Sequence, residues 1–236
     1  MDCFNYAANR MDCFNYAARL GCDIDITLCC YEGMSNFGNV ETLEIMYERG
    51  IRFDDHDPAC SVAASVGSLP CLKWAYEKGA PVYNVFKESA WNGHLDCLVY
   101  AHEHRFDDNE GLSDGLLNIE DKIEMDNWYI NAIEAACYTT HLDCVKFLYD
   151  NGYTSNVNLC FVAAYGGDLS CLQYVHEIGY ELNDQVSLYA LECDSVECVQ
   201  YTYEHGCRWD RRFFALAVKK RAYKCMKYEY HRNPIS

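Results

Sequence analysis

Basic residues are scarce in this sequence, and it has neither a long apolar run nor a phosphate-binding glycine loop. Lys and Arg total 19 against 36 Asp and Glu, a formal net charge of -17. Such a charge repels a phosphate backbone, so we expect no nucleic-acid partner. No stretch reaches the roughly 18 consecutive apolar residues of a membrane-spanning helix, so we expect no membrane span. The glycines do not mark a strand-to-helix turn, which argues against phosphate binding.

The first residues also lack the pattern of a secretory signal peptide. The chain begins Met1-Asp2-Cys3-Phe4, with no positively charged stretch followed by an apolar segment and a cleavage site. Sixteen cysteines would fit a disulfide framework in a small secreted domain, but this start does not indicate secretion. We therefore expect a cytoplasmic protein in a reducing compartment.

Seven of the sixteen cysteines mark one position of an internal repeat, and we call the residue there the repeat cysteine. Successive positions are 29, 29, 26, 47, 27, 27 and 27 residues apart, so one unit has about 27 residues and one gap carries about 20 more. The eight positions are occupied by Cys13, Thr42, Cys71, Cys97, Cys144, Cys171, Cys198 and Cys225.

The residues around the repeat cysteine predict a helix that is second in each unit. Bulky apolar residues stand two before and one after it, and an aromatic residue usually stands three after it. Offsets of -2, +1 and +5 predict one buried helical stripe. A glycine eight residues after the cysteine ends the helix in most units, and Asn or Asp four residues later suits a helix cap or turn.

A small residue eight positions before the repeat cysteine marks a first helix that can approach its neighbours closely, as at Ala136 and Ala163. Each unit is then a helical hairpin that cannot bury its apolar face alone, so neighbouring units must stack. The sequence predicts an all-α solenoid of about seven stacked helix-turn-helix repeats, forming one domain over residues 1–236.

The repeats resemble the ankyrin-repeat family. Leu95-Asp96-Cys97-Leu98, preceded by Gly93-His94, is similar to the Gly-His-Leu-Glu of that family, and Gly21-Cys22-Asp23-Ile24-Asp25 is similar to its closing Gly-Ala-Asp-Val-Asn. Ala63-Ala64 and Ala163-Ala164 match its paired alanines. The units are shorter than the usual 33 or so residues and lack Thr-Pro-Leu-His. The missing residues fall at the family's β-hairpin finger.

Short units of this kind, such as Cys-Leu-Lys-Trp-Ala-Tyr-Glu-Lys-Gly at 71–79, resemble the ankyrin-like proteins of giant viruses of amoebae. The resemblance covers about residues 11–236. It implies a protein-binding scaffold, which would lie in the host cytoplasm if the chain is viral. It does not identify the partner.

Two segments depart from the repeat. Residues 1–10 duplicate the start of the first unit and form an N-terminal extension. Residues 106–126 form an insertion between repeats, with eight acidic residues and one Lys. This insertion is either a solvated surface loop or a recognition loop held on a rigid scaffold.

The last unit is the only basic one, which is typical of a polar cap or of a binding end.

The position six residues before the repeat cysteine is the candidate binding row, because in ankyrin-like stacks it faces the concave surface. We expect Trp91, Tyr138 and Tyr165 there, about 10 Å apart at usual helix spacing, with Glu192 next in the row. Aromatic side chains are favoured binding anchors, although the three rings could instead pack as core. A parallel row could offer hydrogen bonds or simply start helices; it contains Asn84, Asn131, Asn158 and Gln185.

Metal binding and catalysis find less support in the sequence. His94 with Cys97, and His141 with Cys144, have a spacing that could present two ligands, but zinc needs about four. The same cysteine recurs in units without the histidine, so it is better explained as a small buried residue. We expect no metal, no cofactor and no enzymatic activity.

The sequence thus favours a protein–protein interaction module that binds a partner through its concave face, and a basic partner surface would suit its charge. Two alternatives remain open at this point. One is a structural or assembly component, for example of a viral particle, and the other is a substrate adaptor for ubiquitin ligation. The oligomeric state is not indicated.

Overall fold

The computed structural model describes residues 40–48, 58–82, 84–104, 132–208 and 211–232. Within these ranges every regular element is helical and no strand occurs. Residues 132–138 form a helical segment. Twelve further helices are labelled in chain order: α1 Val40–Glu48, α2 Ala59–Val66, α3 Leu69–Glu77, α4 Val85–Asn92, α5 Leu95–His104, α6 Leu142–Asp150, α7 Leu159–Gly166, α8 Leu169–Glu177, α9 Asp184–Glu192, α10 Val196–Glu204, α11 Arg211–Lys220 and α12 Tyr223–Arg232.

The chain divides into two compact units, Met1–Trp128 and Tyr129–Ser236. The sequence boundary between them falls just after the acidic insertion at 106–126, which lies outside the described residues, as do residues 1–10. The single repeat domain over residues 1–236 therefore stays a prediction.

Each of the two compact units is built from the predicted helical hairpins. First helices pack on first helices, as in α2 with α4 and in α7 with α9, while second helices pack on second helices, as in α8 with α10. Helices of eight to ten residues are too short to be stable alone, so this stacking supplies their stability. The absence of strands from the described ranges agrees with units too short to hold a β-hairpin finger.

The repeat cysteine occupies the centre of the stack. It is buried in every described unit, at Cys71, Cys97, Cys144, Cys171, Cys198 and Cys225. The next residue is buried too where it is Leu72, Leu98, Val145, Leu172 or Val199. A thiol suits this position because it behaves as a small apolar group.

The predicted helix ends are confirmed. Gly79, Gly152, Gly179 and Gly206, each eight residues after a repeat cysteine, all have positive φ. This left-handed conformation follows a helix and costs glycine no steric strain. The predicted cap is found at Asn183, whose side chain accepts hydrogen bonds from the first turn of α9. Helix α7 is capped by Asn158 and not by Asn156, which is the residue four positions after Gly152.

The predicted stripe at -2, +1 and +5 is confirmed only at +1, because the fully enclosed positions are 0, +1 and +4, while -2 residues such as Leu142 and Leu169 are only half-buried. Leu148, Val175 and Thr202 stand at +4 and are buried, whereas Tyr149 and His176 stand at +5 and are only half-buried. The +5 side chains lie at the edge of the second helices, where they meet the next repeat.

That edge shows a regular ring pairing, which explains the aromatic residue at +3. In four pairs of neighbouring repeats the +5 ring contacts the +3 ring of the next hairpin edge to face, at centroid separations from 5.8 to 6.4 Å. Edge-to-face pairs add stability beyond area burial, so the +3 residue fixes one hairpin to the next. The pairs are Tyr47 with Trp74, Tyr76 with Tyr100, Tyr149 with Tyr174, and His176 with Tyr201.

Candidate functional site

Three tyrosines on the first helices of Tyr129–Ser236 form one continuous surface, which we call the tyrosine face. Tyr138 ends the segment 132–138, Tyr165 lies in α7 and Tyr189 in α9. Tyr138 and Tyr165 stack with ring centroids 5.7 Å apart, and Tyr189 meets Tyr165 edge to face at 6.1 Å. Their exposed fractions are 41%, 41% and 39%. The rings are thus packed against one another and open to solvent at the same time.

A glycine beside Tyr165 lets the rings approach. A Cβ added at Gly166 would lie 2.5 Å from the carbonyl oxygen of Tyr138 and 3.1 Å from that of Cys137. On the same two helical segments, Ala136 and Ala163 are buried at the small-residue position. The backbones can therefore come close enough for rings one repeat apart to stack, rather than stand about 10 Å apart as expected.

The repeat pattern does not predict Tyr189, because the predicted row contains only the position six before the repeat cysteine. It stands nine before Cys198 and three before Glu192, so the two side chains share one side of α9. The tilted ring of Phe161, with its centroid 5.5 Å away, supports Tyr189. The available signal was helical spacing, because residues three apart on a helix lie on the same face.

Carboxylates lie at both ends of the tyrosine face. Glu192 pairs with Lys220 at 3.3 Å, and these side chains are 25% and 41% exposed. At the other end, Glu134 stands one helical turn before Tyr138 and accepts a hydrogen bond of 2.6 Å from the Ser155 hydroxyl. The predicted Glu192 therefore lies beside the aromatic surface and already holds a cation.

Trp91 lies in the other compact unit, Met1–Trp128, on α4, where 44% of it is exposed. Of the predicted row, Tyr138, Tyr165 and Glu192 therefore belong to one compact unit and Trp91 belongs to the other. Its role in binding stays a prediction.

The asparagine row divides into different local roles. Asn84 is exposed and precedes α4 in a left-handed conformation, with φ 59° and no capping bond from its side chain. Asn158 accepts a hydrogen bond from the Cys160 amide and donates one to the Glu181 carbonyl, so it starts α7 and ties it to the next connection. Asn131 lies outside the described residues.

The buried thiols have raised pKa values, whereas a nucleophilic cysteine has a lowered one. Burial raises the pKa of Cys97 to about 11 and that of Cys160 and Cys171 to about 12, with nearby acidic groups or thiols adding to the effect. A reactive cysteine needs a lowered pKa. These thiols therefore stay protonated near neutral pH and serve packing.

No group of three or more potential metal ligands occurs among the described His, Cys, Asp and Glu side chains. His94, one of the predicted candidates, instead has its Nε2 3.2 Å from the Ser65 carbonyl oxygen of the preceding repeat. The histidine thus connects two hairpins. Among the helices described here, none is long and apolar enough to cross a membrane.

A histidine pair lies on the second helices. His176 Nδ1 is 2.8 Å from the Tyr201 hydroxyl, and its ring meets that of His205 edge to face at 5.2 Å. Burial, and then the proximity of His205, lower the pKa of His176 below its usual 6.5, while Glu177 acts in the opposite direction. The folded protein therefore favours the neutral ring.

Comparison with known proteins supports the architecture. No protein-family model and no curated protein matches the sequence. Among solved structures, the chain is similar to the human ASB11 ankyrin repeat domain, with a TM-score of 0.55 and 15% sequence identity over 80% of this chain and 86% of that one. Together with the stacked hairpins and left-handed glycines, this similarity shows that the protein has an all-helical ankyrin-repeat fold.

Proposed function

We propose that this protein is a protein-binding module whose partner docks on the tyrosine face. The observation that carries the proposal is the contact of Tyr138, Tyr165 and Tyr189 in a row while each keeps about two fifths of its surface exposed. Single exposed apolar residues are common on proteins, but contiguous aromatic surfaces mark interaction sites. Tyrosine is enriched among the residues that dominate binding energy.

Two features favour a binding role over a packing role. Neighbouring residues on the same helices, such as Ala164 and Ala190, are fully buried, so the core lies on the other side of these helices. The tyrosines are also held in place before any partner arrives, because each ring rests on the next. A preorganised surface loses little conformational entropy on binding.

The ankyrin-repeat fold suits this role, because stacked repeats present an extended surface on which the exposed residues can vary while the stacking residues stay. We place that surface on the concave side of the stack. We also assign the protein to the reducing environment of the cytoplasm, because the eleven described cysteines are all free thiols and ten of them are buried in the packing. The resemblance of the short repeats to those of giant viruses supports a viral source.

The test is affinity capture from cells that naturally contain the protein, with the wild type compared with a Tyr138→Ala, Tyr165→Ala, Tyr189→Ala variant. Tyr223→Ala is the matched control, since Tyr223 is also exposed but lies on α12, outside the tyrosine face. We expect a partner retained by the wild type and the control to be lost from the triple variant, provided that all three chains have equal helical circular dichroism. Equal retention by the triple variant would contradict the proposal.

A further inference from the structure

The chemistry at the end of the tyrosine face indicates which kind of partner fits it. Glu192 stands at the same repeat position as Tyr138 and Tyr165, so the aromatic row ends in a carboxylate. One helical turn before it, Tyr189 presents a partly exposed ring on the same side of α9. A ligand lying along the row would therefore meet aromatic rings first and then a negative charge.

The cation that Glu192 now holds can be replaced. Its partner Lys220 lies 3.3 Å away at a solvent-exposed site. Exposed ion pairs contribute little to stability, because water screens the charges and two long side chains must be ordered. A partner cation that also gains aromatic contacts would compete with Lys220 for this carboxylate.

The protein already covers tyrosine rings with cations elsewhere. Lys73 lies over the Tyr100 ring at 5.3 Å, and Lys146 lies over the Tyr174 ring at 5.7 Å. Both pairs are on second helices, where a lysine of one repeat reaches the ring of the next. Cations can therefore lie over tyrosine rings in this architecture, because the negative electrostatic potential over the flat side of an aromatic ring attracts them.

Resting on the function proposed above, we infer that the tyrosine face binds an arginine-containing basic segment of a partner protein. One guanidinium lies over Tyr165 or Tyr189, and another forms a bidentate salt bridge with the Glu192 carboxylate. Arginine suits both contacts better than lysine, because its planar group stacks on rings and matches a carboxylate. The net charge of -17 would draw such a segment toward the protein.

The experiment measures fluorescence anisotropy of a labelled peptide of alternating glycine and arginine, beside counterparts in which lysine or neutral citrulline replaces arginine. We expect the order arginine, lysine, citrulline, from tightest to weakest. Tyr165→Ala and Glu192→Gln should each weaken arginine-peptide binding about fivefold or more. Lys220→Ala should strengthen it, because it frees Glu192.

Two matched controls separate this site from general attraction to an acidic protein. Glu197→Gln removes the same charge from an exposed position on α10, and Tyr223→Ala removes an exposed ring from α12. Both should leave the dissociation constant nearly unchanged. Equal weakening by Glu192→Gln and Glu197→Gln would overturn the inference, as would equal binding of the arginine and citrulline peptides.

The capture experiment keeps this result distinct from the proposed function. If the triple tyrosine variant loses its natural partner while the arginine peptide does not distinguish the variants, the binding module stands and the basic ligand is wrong. If the partner is also retained by the triple variant, both proposals fail.

Discussion

Replacing Gly166 with alanine should destabilise the protein, although the same change usually stabilises a helix. Alanine is favoured over glycine within helices by up to about 1 kcal/mol. Here, however, the new Cβ would lie 2.5 Å from the Tyr138 carbonyl oxygen, against an ordinary contact distance of at least 3.4 Å. The segment 132–138 must therefore move by about 0.9 Å relative to α7, since a backbone oxygen cannot rotate away.

Overpacking costs about 1–3 kcal/mol, and a clash with a backbone oxygen belongs to the upper part of that range, about 2–3 kcal/mol. After the helix preference of up to about 1 kcal/mol is subtracted, we expect a net loss of about 1–2 kcal/mol. Urea denaturation followed by far-ultraviolet circular dichroism measures the change. The matched control is Ser170→Ala, an exposed site on α8, which should stay within about 0.5 kcal/mol of the wild type. A Gly166→Ala variant as stable as the wild type, or more stable, would refute the close approach that stacks Tyr138 on Tyr165.

Three further results are expected from other parts of the chain. Under native conditions iodoacetamide should modify Cys193, which is exposed, before Cys171, which is fully buried; burial raises the pKa of both thiols, that of Cys171 to about 12. Acid should destabilise the wild type more than His176→Gln as the pH falls from about 7 to about 5, because the unfolded chain protonates this ring at higher pH than the folded one. A double-mutant cycle for Tyr149→Ala and Tyr174→Ala should give a coupling of about 0.5–1.5 kcal/mol from their ring contact.

Each of these results has a definite contrary outcome. Mass spectrometry showing equal alkylation of Cys193 and Cys171 would mean that the stack opens readily. Identical loss of unfolding free energy in wild type and His176→Gln would show that the ring titrates alike in both states. A coupling near zero for the tyrosine pair would remove the ring contact as a link between hairpins.

The repeat could be predicted because the same residue pattern recurs several times in the sequence. A cysteine every 27 residues or so, with a glycine eight residues later, recurs often enough to fix where the second helix lies and where it ends. The structure confirms both, with buried cysteines and left-handed glycines in the described units. Such a pattern reports contacts that every repeat makes with its neighbours, and these contacts are the same from one repeat to the next.

Side chains between repeats were harder to predict, since their contacts depend on how neighbouring helices are offset. The spacing predicts that the +5 residues continue the buried stripe, yet Tyr149 and His176 lie at its edge and pair with rings of the next hairpin. The tyrosine face was predicted in part. Tyr138 and Tyr165 share a repeat position, whereas Tyr189 joins them from another position because α9 presents it toward Tyr165.

The most direct test of the tyrosine face as a docking surface is site-specific cross-linking with a photoreactive phenylalanine analogue. The analogue replaces Tyr165 in one chain and Tyr223 in another, and each chain is irradiated in cells that contain the natural partner. We predict a covalent adduct with one protein from position 165 and none with that protein from position 223. A partner that cross-links at position 223 and not at position 165 would contradict the account.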